Sequence, residues 1–399
     1  MAIVIPIKAV APKPVGDSDP LNFQVPPPLS LYIHIPWCVQ KCPYCDFNSH
    51  TNQGTIPEKN YLDALIADLE SALPLIWGRP IISVFFGGGT PSLISPEGID
   101  GLLAQIRMRL KVLPGAEITL EANPGTMESS RFAGFREAGI TRLSLGIQSF
   151  NENHLKSLGR IHGREEAIAA AELAGKHFEQ FNLDLMYGLP GQTMAEALAD
   201  VETALSFEPE HLSCYQLTLE PNTHFAAFPP DLPDGDVCAD MQEAIEARLA
   251  KAGFQHYETS AFAQAAKRCQ HNLNYWNFGD YLGIGAGAHS KLTQHDRVIR
   301  QMRWKHPEAY LQQIQTGNAV QENREIAGNE LSGEFLMNAL RLVDGFDSAL
   351  FQATTAQQLT RIEGALMQAV KDGLLEVSAN VIKPTLRGQR FLNVLLQRF

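Results

Sequence analysis

The chain has 399 residues, 45% hydrophobic and 19% charged, an ordinary globular balance that allows one large domain with appendages or two to three domains. A formal charge of −12 with no Lys/Arg-rich run argues against nucleic acid or an anionic membrane surface as the primary partner and leaves a small metabolite or another protein. Of the six cysteines, three stand within eight residues and the others, Cys214, Cys238 and Cys269, are scattered singly, which reads as metal ligation in a reducing, cytoplasmic compartment rather than a disulfide framework.

Residues 1–28 contain seven prolines, including Pro26-Pro27-Pro28, and show no periodicity, which predicts an extended, poorly ordered arm. The first ten residues are apolar, but Pro6 and Lys8 break the run and no charged segment precedes it, so it is a poor signal peptide; nothing elsewhere approaches a membrane span.

The fold is expected to begin at about Leu29. Leu31 to Ile35 reads as a strand, and directly after it stand Cys38, Cys42 and Cys45 in a C-x3-C-x2-C array. Three thiolates at this spacing can each hold one iron of a [4Fe-4S] cubane and leave the fourth iron open to a small chelating molecule. Structural zinc is the competing reading; it needs four ligands and would draw on His34 or His50.

Beyond the array the pattern alternates. A helix is expected over 61–73, with Leu62, Leu65, Ile66, Leu69 and Leu73 on one face, then a strand at Ile81–Phe86 and a helix opened by Ser95 as N-cap with Pro96 and Glu97 in its first turn. Strands follow at Glu117–Glu121, Arg142–Gln148, Phe181–Met186 and His211–Leu219, with helices near 129–138, 164–175, 193–207 and 236–252. Six such units with nearly continuous apolar strands predict an α/β fold with parallel strands buried on both faces, either doubly wound or a partial (β/α)6 TIM-like barrel.

The strand ends favour the barrel, whose site forms at the C-terminal ends of its strands. There the sequence carries the cysteines, Gly87-Gly88-Gly89-Thr90, Glu121, Gln148, Asp184, and Thr218 with Glu220. A barrel interior packed only with Val, Ile and Leu would not need them. The glycine run is neither a Walker A loop nor a G-x-G-x-x-G fingerprint, but glycines after a strand let backbone approach a ligand closely.

The cysteine spacing resembles the radical S-adenosylmethionine (SAM) superfamily, whose open iron is chelated by SAM. Tyr32 before the array, Gly-Gly-Gly-Thr-Pro, Glu121 in Glu-Ala-Asn-Pro, Gln148 in Gly-Ile-Gln-Ser-Phe, Arg160 in Leu-Gly-Arg and Asp184 in Asn-Leu-Asp-Leu-Met-Tyr-Gly-Leu-Pro together resemble one family within it, that of oxygen-independent coproporphyrinogen III oxidases and heme chaperones. The resemblance runs from about Leu29 to the C-terminus. It implies that Cys38, Cys42 and Cys45 hold the cluster and that Tyr32, Tyr44, Gly88, Gly89, Thr90, Glu121, Gln148, Arg160, Asp184 and Thr218 line the SAM site. The implied chemistry is one-electron reduction of the SAM sulfonium, giving a 5′-deoxyadenosyl radical.

Two features separate the chain from the oxidase branch. The oxidases carry a further cysteine two residues after the third ligand, where this chain has Phe47, which neither ligates iron nor passes a proton. His271-Asn272-Leu273-Asn274-Tyr275-Trp276 matches the H-N-x-x-Y-W motif of the heme-chaperone branch. That match implies heme binding with His271 as a candidate axial ligand, Tyr275 and Trp276 as packing surfaces, and Cys269 and His289 as rival ligands.

The expected domains are therefore the arm at 1–28, a barrel at 29–255, a family-specific segment at 256–325 and a winged-helix-like α+β domain at 326–399. In the last, helices are expected over 330–342 and 355–370, a hairpin over 374–384 and a helix through Phe399. Residues 329–399 hold seven Lys/Arg and seven Asp/Glu, so this is not a DNA-reading surface. The resemblance implies a heme chaperone that passes heme to acceptor proteins such as respiratory enzymes, with delivery at the inner membrane; the alternative is the coproporphyrinogen III dehydrogenase. Monomer and homodimer stay open.

Overall fold

The computed structural model describes residues 21–52 and 54–399, so residues 1–20 of the proline-rich arm lie outside the described residues. Six strands form the expected parallel series: β1 (Leu29–Ile35), β2 (Ile81–Gly88), β3 (Val112–Ala122), β4 (Arg142–Gln148), β5 (Phe181–Tyr187) and β6 (His211–Gln216). Helices α1 (Glu58–Ala72), α2 (Pro96–Arg109), α3 (Phe132–Glu137), α4 (Arg164–His177) and α5 (Met194–Leu205) lie in the crossovers, and α6 (Gly235–Lys251) follows β6. Helix starts are chemically marked. Ser95 accepts a hydrogen bond from the Gly98 N–H, and Thr193 and Glu196 close a reciprocal capping box.

The barrel is open. Past β6 come the short strands β7 (Gln255–Glu258) and β8 (Ala261–Ala263), then helix α7 (Gln270–Trp276) and strands β9 (Asp280–Ile284), β10 (His289–Thr293), β11 (Val298–Arg303) and β12 (Val320–Glu325). They complete one sheet in the order β12-β11-β10-β9-β1-β2-β3-β4-β5-β6-β8-β7. Strand β9 runs parallel to β1, with Leu29 opposite Asp280, so the parallel series has a seventh member absent from the sequence reading. Asp280 and Gly283 interrupt its apolar pattern, and the register is fixed instead by partners far away in sequence. The Asp280 carboxylate accepts from Lys291 Nζ, the Thr293 N–H and Thr293 Oγ1, and pairs with Arg79 at 2.8 Å.

The strands are buried on both faces, as expected, and the alternation of side chains makes the two faces chemically different. Leu29, Leu31, Ile33, Ile35, Val84, Phe86, Ile118, Leu120, Leu143, Leu145, Leu183, Leu185 and Leu212 belong to one core with Leu65, Leu69, Ile99, Leu103, Ile106 and Val201 of the surrounding helices. The intervening residues, Ser30, Tyr32, His34, Ser83, Glu117, Thr119, Glu121, Arg142, Ser144, Asn182, Asp184, His211 and Ser213, face the lumen. The lumen carries polar side chains from floor to mouth, with Phe85 and Met186 among them.

A second core holds the C-terminal α+β domain, which contains α9 (Gly328–Ala339), α10 (Ser348–Thr355), α11 (Glu363–Lys371) and a sheet of β13 (Phe346–Asp347), β14 (Leu375–Ser378) and β15 (Val381–Pro384); α8 (Pro307–Ile314) precedes it. The single helix expected over 355–370 is broken. Ala356 takes a left-handed φ of 55°, and the Gln357 side chain turns away to donate to the Gly328 carbonyl and accept from Ser332. Phe23 packs into this second core beside Phe278 and Phe335, so the ordered chain starts before Leu29. Among the described residues no helix is long and apolar enough to cross a membrane.

One buried ion pair fastens α1 to the added strands. Asp68 accepts from Arg303 Nε at 3.0 Å, the Tyr310 hydroxyl at 3.0 Å and the Gly285 N–H at 3.0 Å, all in the interior. Truncating such an anion strands an uncompensated cation, so Asp68→Ala should lower stability by about 3–5 kcal/mol, read as a drop in the urea midpoint. An unchanged midpoint would refute this role.

Candidate cofactor site

At the C-terminal ends of β1 to β5 a cavity of about 170 Å³ is lined by Cys38, Cys42, Tyr44, Cys45, Gly88, Gly89, Thr90, Glu121, Gln148, Arg160 and Asp184. All the sequence-derived cluster and SAM residues meet there except Tyr32 and Thr218. These two line an adjoining cavity of about 670 Å³ that descends the lumen and also touches Tyr44, Cys45, Glu121, Gln148 and Asp184. Thr218 lies past the end of β6, where its hydroxyl donates to Glu220. Asp184 sits in the middle of β5 rather than at its end.

The backbone makes room for an occupant. A Cβ on Gly88, whose φ is 115°, would stand 2.6 Å from the His34 ring, and one on Gly89 would stand 2.5 Å from the Trp37 carbonyl oxygen. Gln148 closes β4 at a φ of 68°, a conformation a non-glycine residue adopts at a cost and one that concentrates at ligand clamps.

The three thiols are free and partly exposed, and two of them receive donors. Thr90 Oγ1 donates to Cys38 Sγ at 3.5 Å, and Arg160 Nη1 donates to Cys42 Sγ at 3.5 Å. Asn123 joins these donors: Arg160 Nη2 donates to its Oδ1 at 2.7 Å, and its Nδ2 donates to Thr90 Oγ1 at 3.1 Å. The sequence reading passed over Asn123, although it stands two residues after Glu121, on the same side of the chain. Soft thiols surrounded by hydrogen-bond donors fit a cluster carrying negative charge on its sulfurs.

Zinc fits less well. Among the described residues no three His, Cys, Asp or Glu side chains converge on one point as a single ion requires, whereas a cubane takes one thiolate per iron. His34, one proposed fourth ligand, is already engaged: its Nε2 donates to the Asn48 carbonyl at 2.9 Å and its Nδ1 accepts from Tyr32 at 3.0 Å.

Electrostatically the cavity is set for a positive occupant. Burial, the nearby Asp184 carboxylate and only one donor, the Gly88 N–H at 3.2 Å, push Glu121 up to about 8. Burial also raises Asp184, against donors from Asn182 and Ser144. Two carboxyl groups that resist ionising together invite a cation beside them.

Helix α7, which carries the His-Asn-Leu-Asn-Tyr-Trp run, crosses the lumen floor. Glu117 accepts from the N–H groups of Gln270 and His271 and so satisfies the helix start from across the barrel. Asn274 Nδ2 reaches Ser30 Oγ at 2.9 Å and the Asp280 carbonyl at 2.8 Å. His271 is 1% exposed, stacks on Phe85, and has both ring nitrogens engaged, Nδ1 with Ser83 Oγ at 3.0 Å and Nε2 with Tyr275 Oη at 3.1 Å. Burial drives it down to about 3, so it is a neutral, sealed imidazole. Cys269 is likewise buried, with its thiol donating to Glu117.

Residues 32–204 match the Radical SAM superfamily and residues 327–391 match the HemN C-terminal domain. The chain is 48% identical to the heme chaperone HemW of Escherichia coli over 94% of its own length and 98% of that protein's. It is 35% identical to the heme chaperone HemW of Mycobacterium tuberculosis over 91% and 92% of the two chains. The chain belongs to the HemW family. The solved coproporphyrinogen III oxidase (HemN) of E. coli, a radical SAM enzyme, superposes with a TM-score of 0.79 at 25% identity, over 94% of this chain and 90% of that one. The radical SAM barrel and its C-terminal domain thus extend across nearly the whole of this HemW family member.

The Glu121 shift has a ligand-free consequence. The unfolded chain ionises Glu121 near the usual carboxylate value while the fold holds the proton to about 8, so this group's penalty grows as pH rises between the two and is complete above 8. Glu121→Gln should therefore gain stability over the parent as pH rises from about 5 to 8, by at most about 1.4 kcal/mol per unit. Parallel stability curves for the two proteins would reject the assignment.

Proposed function

We propose that the protein is a heme chaperone of the radical SAM type, cytoplasmic, which binds a [4Fe-4S] cluster, SAM and heme and passes the heme to acceptor proteins at the inner membrane. The observation that carries this reading is the meeting of the three thiols with the SAM residues in one cavity mouth, in a chain whose relatives at 48% identity are named heme chaperones.

Cys38, Cys42 and Cys45 would hold three irons, with Thr90 and Arg160 donating to the sulfurs of Cys38 and Cys42 and Asn123 bridging the two donors. The cluster, when bound, supplies one-electron reduction of a ligand on its open iron. SAM would be held by the glycine run, whose backbone amides could approach its methionyl end, and by Glu121, which could accept from ribose hydroxyls, while the Glu121–Asp184 pair would favour its sulfonium charge. Arg160 would pair with a carboxylate in the same cavity.

Phe47 favours the chaperone over the dehydrogenase. It is 59% exposed, and it borders the thiol cavity, the lumen and a third cavity beside α7, where the oxidases have a cysteine. An aromatic ring there offers packing surface and neither a proton nor an iron ligand.

Reconstituted protein incubated anaerobically with dithionite, SAM and coproporphyrinogen III should form no protoporphyrinogen, while hemin titration should give a saturable Soret change. Robust turnover would sink the chaperone reading. Cys42→Ala should lose iron and sulfide while keeping the far-ultraviolet circular dichroism of the parent; undiminished iron content would overturn the cluster assignment.

A further inference from the structure

The sheet face that lines the lumen continues past β1 onto β9, β10 and β11, and there it forms one wall of a cavity of about 410 Å³. Tyr275 and Trp276 of α7 form a second wall, Phe47 and Asn48 the rim toward the thiols, and Asn338 of α9 the far side. Two of the polar groups here are unsatisfied. Trp276 Nε1 is buried with no hydrogen-bond partner, and His289 is exposed and makes no side-chain hydrogen bond among the described residues.

The imidazoles bordering this cavity and the lumen differ in availability. His34 is buried with both nitrogens bonded. His271 is closed off between Ser83, Phe85 and Tyr275. His289 opens into the cavity, and partial burial with the positive charges of Lys305 and Arg300 lowers its pKa and keeps it neutral, the form that ligates iron. Lys291 and Arg300 also line the cavity, each already paired with a carboxylate, Asp280 and Glu334 respectively. Aromatic walls, an open neutral imidazole and an unpartnered indole N–H suit a flat, largely apolar, metal-bearing ligand.

Resting on the heme reading above, we propose that His289 is the axial ligand of the bound heme, which lies in the cavity between α7 and the β9–β11 face. Tyr275 and Trp276 then act as its walls, and Trp276 Nε1 donates to a propionate. His271 is a positioning residue that fixes Tyr275 and α7 on the lumen floor.

The test is hemin binding to the full chain with its cluster reconstituted, followed by magnetic circular dichroism, which reads axial ligation beside the cluster's own absorbance. His289→Ala should weaken hemin binding by about tenfold or more and remove the histidine-ligated signature, and added imidazole should restore that signature. Since His289 is exposed and unbonded, its loss should leave stability untouched. His271→Gln, which keeps polar partners for Ser83 and Tyr275, should retain the ligation signature. A parental signature and affinity in His289→Ala would overturn the ligand assignment alone. Failure of the parent to take up hemin would overturn the heme reading and the assignment with it.

Discussion

The two-residue alternation of the parallel strands is the constraint on which the rest of this molecule depends. Because successive side chains point to opposite faces, one set of leucines, isoleucines and valines is enough to seal the sheet against its helices. The other set is free to be polar, provided each buried group finds a partner. At the floor many do: Ser30, Ser83, His271 and Tyr275 form one linked series, and Asn182, His211 and Tyr257 another. Toward the mouth Asp184 is held by Asn182 and Ser144, while Glu121 keeps a single donor, the Gly88 N–H, beside cavities with room for a ligand. The lumen thus runs as a gradient from linked hydrogen bonds at the floor to an under-bonded carboxyl at the mouth.

That gradient sets what could be read from the sequence. The six strand positions and their helices were legible because apolar periodicity and local caps such as Ser95 depend on near neighbours. The cysteine array and the glycine run were legible because their chemistry lies in spacing. Strand β9 was not, since its Asp280 is held by Arg79, Lys291 and Thr293, partners that no local pattern reveals. Asn123 was quoted within a motif yet its bridging place between Arg160 and Thr90 depends on three segments meeting. The break after Thr355 was hidden for the same reason, because Gln357 is drawn off by the carbonyl of Gly328.

On the ligand assignment proposed above, a motif's most reactive side chain is not its reactive centre, and His271 shows how. In isolation an imidazole followed by Tyr and Trp suggests a porphyrin ligand. In the fold, Glu117 binds the helix start, Asn274 ties the helix to β1, and His271 completes a hydrogen-bonded stack beneath the cavity. The run behaves as a unit that places Tyr275 and Trp276 with little freedom, which is what a recognition wall requires.

The segment after Cys45 connects the two halves of this chemistry. Asn48 accepts from His34 through its carbonyl, while its amide donates to the carbonyls of Ala286 at 3.0 Å and Lys305 at 2.9 Å, near the start of the strand that carries His289. Phe47 and Glu121 border both the thiol cavity and the cavity beside α7. Two ligands separated by one shared wall cannot be energetically independent if either reorders that wall, so on the function proposed above any influence of the cluster and SAM on heme affinity would be returned equally by heme. For a chaperone this reciprocity would have a use that it lacks in an oxidase: filling the thiol end would become a condition for gripping or releasing the porphyrin. Phe47 gives that wall an aromatic packing contact with no group that ligates iron or carries a proton.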